Sequence, residues 1–197
     1  LYDPARLLLP PSYLPLHPFD NGEMIVRDEK LALWPRLPEV IRRQLADYYA
    51  CISCLDHHFG RIVDCLRDRG QLENTIIIFA GDNGLSLGDH GLMGKQNLYE
   101  FGGMHVPLVV AGPGMHPGTS DAFVYLFDLF PTICQMTHVQ VPVAVEGKSF
   151  APLLAGQPFM AREFMFNAYK NVQRSIRDER WKVIRYPQIN RTQLFDL

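Results

Sequence analysis

The sequence predicts an α/β fold, with helices layered on a sheet and a small antiparallel β subdomain at the C-terminal end. Three observations lead there. A long helical pattern beginning at Pro38 runs straight into a short apolar strand, Thr75–Ala80, the helix-then-strand order of a layered sheet. That apolar run is of the kind buried on both faces. It ends at Gly81 and delivers Asp82 and Asn83 into a Gly-rich loop, where open α/β sheets place their chemistry. From Glu163 onward, short aromatic and β-branched segments alternate with polar turns, as in an antiparallel meander.

The totals agree with one large domain, or a domain with a small appendage. The chain has 197 residues, of which 47% are apolar, enough to build a core. A net charge of −2 and the lack of a basic run give no reason to expect nucleic acid as a partner. No apolar stretch approaches the roughly 20 residues that span a bilayer. The N-terminus shows no signal-like segment, so it does not indicate a compartment. The chain stops within a strand-like run, Gln193–Leu197, and is expected to be a piece of a longer protein.

Taken in order, residues 1–38 hold seven of the fifteen prolines and are expected to be an extended segment lying over the surface. The helix over Pro38–Arg69 has proline at its start and Gly70 just past its end. Tyr48, Ile52, Leu55, Phe59, Ile62 and Leu66 mark its apolar face. Cys51, Cys54 and Cys65 lie in this helix, and Cys134 in a later one. Cys54 and Cys65 are roughly 16 Å apart along the helix, too far for a disulfide. Cys51, Cys54 and His58 lack a fourth ligand and read as small-residue packing, not a zinc site.

After the Thr75–Ala80 strand, Val106–Ala111 reads as a second one, with Pro107 near its start. Ala122–Phe127 is expected to be a further strand. Asp128 is expected to cap a helix reaching about Met136, with Pro131 in the first turn. Ser149–Ala155 reads as one or two helical turns. Glu163–Ala168, Gln173–Asp178, Trp181–Tyr186 and Gln193–Asp196 form the meander. The expected division is 1–38, then an α/β part over 39–158, then a β subdomain over 159–197.

Asp82 and Asn83 offer a carboxylate and a neutral amide oxygen side by side. Hard oxygen donors of this kind suit Ca²⁺ or Mg²⁺, although Asp-Asn-Gly is also a good turn. Lys95 follows Gly94 in the same loop. Its ammonium either neutralises a tetrahedral oxyanion or is solvated. His90 reads as a general acid or substrate contact, or as a surface or supporting histidine. Glu100 reads as structural, tying the loop back.

The string FAGDNGLSLGDHGLMGKQNLYEFGGMHVPLVVAGPG closely resembles the sulfatase family of the alkaline-phosphatase-like superfamily. The resemblance extends over most of the chain. Asp128-Leu-Phe-Pro-Thr132 is similar to the family's Asp-Leu-Pro-Thr helix, and Glu146–Leu154 to its Gly-x-Ser-Leu segment. Arg174–Leu197 is similar to its C-terminal strands. The resemblance implies that Asp82 and Asn83 ligate one divalent ion, calcium or alternatively Mg²⁺ or Mn²⁺. It implies that Lys95 contacts the sulfate and its bridging oxygen, and it carries His90 only weakly. His105 stands where the family commonly has arginine, at a position expected to order the loop.

The family's nucleophile is a formylglycine made from a Cys/Ser-x-Pro/Ala-x-Arg motif; its hydrated aldehyde attacks sulfur. None of the cysteine contexts here fits, nor does Ser149-Phe-Ala-Pro-Leu. Cys65 has the final arginine, but Arg67 stands where proline or alanine is needed. The resemblance therefore places the nucleophile, and the family's paired N-terminal aspartates, upstream of Leu1. The expected substrate and partner are a sulfated small molecule or glycan and the missing N-terminal part of the same protein. Residues 1–197 alone are expected to be inactive. Two alternatives stand beside this reading. One is a phosphodiester or phosphonate monoester hydrolase of the same superfamily, which favours Asp-His over Asp-Asn. The other is a non-catalytic homologue.

Overall fold

The computed structural model describes all 197 residues, and the class is the expected mixed α/β one. Helix α1 spans Pro38–Asp68, with proline in its first turn, Glu39 near its N-terminus and Arg67 near its C-terminus. These charges complement the helix dipole. Gly70, at φ +64°, lets the chain turn away in a conformation that L-residues disfavour. The start of α1 is anchored: Ile41 and Leu45 pack with Ala32, Leu87 and Met93 in one buried cluster.

The rest of the helix departs from the sequence expectation. Its apolar stripe has the expected spacing, yet Tyr48, Ile52, Leu55 and Ile62 are 40–61% exposed. Helical periodicity fixes which face is apolar but not which element covers it. All four cysteines are free thiols, and only Cys134 is buried. No helix is long and apolar enough to cross a membrane.

Strand β1 (Ile77–Ala80) pairs antiparallel with β2 (Leu108–Ala111), Ile77 opposite Ala111 and Ala80 opposite Leu108. The expectation of a strand buried on both faces is corrected: Phe79 is 38% and Val109 59% exposed in this two-stranded sheet. An apolar run reports what a strand tolerates; burial needs neighbours on both faces, and residues 1–197 supply few.

The strand expected over Ala122–Phe127 does not form. Residues 122–125 have no strand partner, and Leu126–Asp128 is a 3-10 turn. Tyr125 is tied instead through its hydroxyl, which accepts from Phe166 N at 2.7 Å and donates to Phe166 O at 2.9 Å. Helix α2 follows over Leu129–Met136. Asp128 does not cap it through its side chain as expected. The carboxylate points back, accepting from Tyr125 N and Lys148 N, both at 2.8 Å. Thr132 donates to Asp128 O and accepts from Phe150 N, joining α2 to the one-turn helix α3 (Ala151–Leu154).

The C-terminal meander is as expected. β3 (Met165–Tyr169), β4 (Gln173–Arg177), β5 (Trp181–Tyr186) and β6 (Arg191–Asp196) form an antiparallel sheet in chain order. Alternation sends Gln173, Ser175, Lys182, Ile184 and Tyr186 to one buried face. That face meets the loop between β1 and β2, where Leu92, Leu98 and Tyr99 pack on Ile184 and Tyr186. The N-terminal segment closes the other side: Leu14 N donates to Gly88 O, and His90 N to Ser12 O. The loop is thus clamped between residues 12–36 and the C-terminal sheet.

Candidate active site

The loop leaving β1 is shaped by backbone contacts that only glycine allows. Gly84 N donates to Gly103 O at 2.9 Å, and a Cβ on Gly84 would lie 2.8 Å from both Gly103 N and O. Asp-Asn-Gly is therefore held against the far end of the same loop. Asn97, buried inside, spans the gap between. Its amide donates to Ser86 Oγ (3.0 Å) and Gly94 O (3.2 Å), and its Oδ1 accepts from Tyr99 N (3.1 Å).

The C-terminal sheet fixes the outgoing half. The Gln173 side chain accepts from Leu98 N at 3.1 Å and donates to Gln96 O at 3.2 Å, mimicking a strand partner. Glu100 is buried and pairs with Lys182 (2.9 Å) and with Arg177. Burial pushes its carboxyl up, but the hydrogen bonds and charges of Lys182 and Arg177 outweigh that and hold it below the usual range. Glu100 thus ties the loop back. His105 lies 3.9 Å from the same carboxylate, with its side chain largely in solvent.

These ties bring Asn83 and Lys95 to one cavity of about 280 Å³, walled also by Asn97, Met104 and, from β3, Asn167 and Tyr169. Of the four buried polar atoms lacking a hydrogen-bond partner, two, Asn83 Oδ1 and Gln96 Oε1, belong to residues on this wall. A buried carbonyl oxygen without a donor is costly unless a ligand or ion satisfies it. Asp82, beside it, is exposed. Neither Asp82 nor Lys95 enters any ion pair of the molecule. Asn83 and an unpaired ammonium thus line one hollow, with the exposed Asp82 adjacent in sequence to Asn83. The donor set fits a hard divalent ion, and the ammonium fits an oxyanion. A second cavity, about 270 Å³, lies among Ile76, the Pro113–Met115 turn, α2 and α3 and holds none of these residues.

His90 is elsewhere. It does not line the Asn83–Lys95 cavity. Its ring stacks on Tyr99 at 3.8 Å and its carbonyl accepts from His17 Nδ1 at 2.8 Å. Burial, with the nearby His17, pushes its pKa down to about 4. The unfolded chain takes up this proton near pH 6.5, the folded chain only near 4, so the neutral ring's contribution to stability is lost as pH falls between those values. The His90 ring resonances are expected to stay those of neutral imidazole at pH 5.5; an NMR titration midpoint near 6.5 would contradict the packing.

Several residues that line or brace the site had no sequence signal: Gln173, Asn167 and Tyr169. Each acts across a long chain separation and sits in a local context that reads as ordinary loop or strand. Asn97, inside the Gly94-Lys-Gln-Asn run, was the one within reach of a motif.

Fold and site together define an α/β protein of the alkaline-phosphatase-like class, with oxygen donors just past a strand end and a lysine lining the same hollow as Asn83. The chain belongs to the sulfatase family, whose model, Sulfatase, matches residues 15–139. A second model, N-sulphoglucosamine sulphohydrolase, C-terminal, matches residues 88–197. The chain is 34% identical over 166 residues to a choline-sulfatase of Rhizobium meliloti, a match covering 81% of this chain and 32% of that protein. It is 33% identical over 156 residues to arylsulfatase K of Xenopus laevis, covering 77% of this chain and 28% of that one. The chain therefore spans about a third of the length of these relatives. Among solved structures it is similar to a phosphonate monoester hydrolase from Silicibacter pomeroyi. There the TM-score is 0.82 at 27% identity, over 100% of this chain and 45% of that one.

Proposed function

We propose that residues 1–197 are the C-terminal part of a sulfatase that hydrolyses a sulfate ester to an alcohol and inorganic sulfate. The observation that carries this is the shared cavity: Lys95 and the partnerless Asn83 Oδ1 face one polar hollow at the end of β1. Asp82 and Asn83 would hold the divalent ion, calcium in this reading, which when bound supplies charge neutralisation at the reacting oxygens. Lys95 holds a sulfate oxygen and stabilises the negative charge that builds on the bridging oxygen as the S–O bond breaks. In the complete protein a formylglycine outside residues 1–197 would supply the nucleophile for sulfur. Asn167 and Tyr169, which also line the cavity, would meet the organic part of the ester, a sulfated small molecule or glycan. His90 serves this site only indirectly, through its stack on Tyr99.

A second reading, phosphonate monoester hydrolysis, draws on the fold likeness to the Silicibacter pomeroyi enzyme. The sulfate reading stands ahead because both curated relatives above are sulfatases and Asn83 fills the second position of the oxygen pair. The test is turnover of an aryl sulfate against an aryl phosphonate monoester by the complete protein. Sulfate is expected to be preferred at least about tenfold in kcat/KM, a difference of about 1.4 kcal/mol, with no turnover by residues 1–197 alone. A preference for the phosphonate would select the second reading.

A further inference from the structure

The loop that presents Lys95 is gripped from the N-terminal segment by one carboxylate. Met93 N donates to both oxygens of Glu29 (3.2 and 3.0 Å), and Gly94 N donates to Oε1 (2.9 Å). Glu29 is 4% exposed, and the Arg36 behind it is fully buried. Arg36 pairs with Glu29 Oε2 at 2.6 Å and donates to the carbonyls of Glu29, Ala32 and Gly91. Its guanidinium lies 3.7 Å over the Trp34 ring.

A buried ion pair is expensive to desolvate and is weak support for stability by itself. Its value here lies in what the carboxylate can do: it only accepts, so it can take two consecutive amides and set two successive peptide planes. Those planes, Leu92–Met93 and Met93–Gly94, lead to the Gly94–Lys95 peptide. That next peptide is held at its carbonyl, where Gly94 O accepts from the Asn97 amide at 3.2 Å and from Ser86 N at 3.3 Å. Gly94 permits this grip, since a Cβ there would lie 2.8 Å from Asp28 Cβ and 3.1 Å from Glu29 Oε1. Lys95, in contrast, has no ion-pair partner to hold its own side chain. Its aim depends on the backbone it leaves.

We infer that Glu29, backed by Arg36, is a positioning residue for Lys95: it fixes the Leu92–Met93 and Met93–Gly94 peptides that precede it so that the ammonium meets the oxyanion. This rests on the assignment of Lys95 to sulfate made above. Glu29 touches no reacting atom and acts only through the loop.

The test is a double-mutant cycle in the complete protein, with inorganic sulfate as probe: Glu29→Gln, Lys95→Ala and the double variant. The readouts are the sulfate Kd by calorimetry and kcat and KM on an aryl sulfate. Gln can accept at one oxygen only and turns a donor toward the loop amides. Glu29→Gln is expected to weaken sulfate binding and lower kcat/KM by about 10–100-fold, the scale of a misplacement near 1 Å. The double variant is expected to match Lys95→Ala within about threefold, because no ammonium remains to misplace.

Glu29→Asp keeps the charge and withdraws the carboxylate from Gly94. It provides the same cycle with the Arg36 charge still compensated, should Glu29→Gln not fold. A merely structural Glu29 would lower the melting temperature, leave the sulfate Kd within about twofold, and give losses that add in full; either result overturns the inference. If Lys95→Ala alone changes neither sulfate affinity nor turnover, the assignment of Lys95 fails first, and the positioning role falls with it.

Discussion

Replacing Lys95 with alanine in the complete protein is expected to lower kcat/KM for a sulfate ester by about 10²–10³-fold, or about 3–4 kcal/mol of transition-state stabilisation. The expectation comes from where the ammonium sits. It lines the cavity that Asn83 also lines, and no carboxylate of the chain neutralises it through an ion pair. A cation preorganised beside a developing oxyanion contributes more than the same cation in water, because nothing has to reorganise when charge appears. If the charge acts in the transition state, the loss falls on kcat. If it only holds bound sulfate, the loss falls on KM and kcat stays put. Steady-state kinetics on an aryl sulfate, with the melting temperature as a control for folding, separate the two. A change below about threefold in kcat/KM would remove Lys95 from the chemistry.

The largest effect on stability is expected at Asp128. Its carboxylate is fully buried and takes four donors: the two terminal guanidinium nitrogens of Arg162 (2.5 and 2.8 Å), Tyr125 N and Lys148 N (2.8 Å each). Asp128→Ala leaves a mostly buried guanidinium and two amides without their acceptor, with an expected cost of about 3–5 kcal/mol. Urea unfolding of the complete protein reads this as a lower midpoint. Burial pushes the Asp128 carboxyl up, but the Arg162 pair and the two amides outweigh that and hold it below the usual carboxylate range. The contribution is therefore complete above about pH 3.9 and is lost as pH falls through the folded value. The wild-type midpoint should fall steeply in acid while the alanine variant falls less. Equal slopes would show that Asp128 is not the group responsible.

The two sites differ in how legible they were. Asp128 was marked in the sequence as a cap, and its type was right for the task. Only the direction of its side chain differs from the expectation, because the competing donors, Lys148 N and Arg162, lie 20 and 34 residues further along. Asp82, Asn83 and Lys95 stand out from the strand end, the Gly-rich loop and the sulfatase-like string. That Asn83 and Lys95 line one cavity while Asp82 stays exposed beside it is a property of packing. His90 had the chemistry of a proton shuttle in the sequence, but in the fold its ring is stacked on Tyr99 and held neutral.

By itself the sequence determined whatever is local. It set the course of α1 from its proline start to Gly70, the four-strand alternation of the C-terminal sheet, and the polar ending of β1. Each rests on a periodicity or a turn residue read within a few positions. The tertiary structure alone decided what covers what. Within residues 1–197 it left the stripe on α1 and both faces of β1 only partly covered, denied Ala122–Phe127 a partner, and sent the carboxylate of Glu29 to amides 64 and 65 positions away. The physical reason is the same throughout. Local pattern states which surface a segment must bury and which donors it must satisfy, whereas the partner that does so is chosen by long-range packing, which no short window contains.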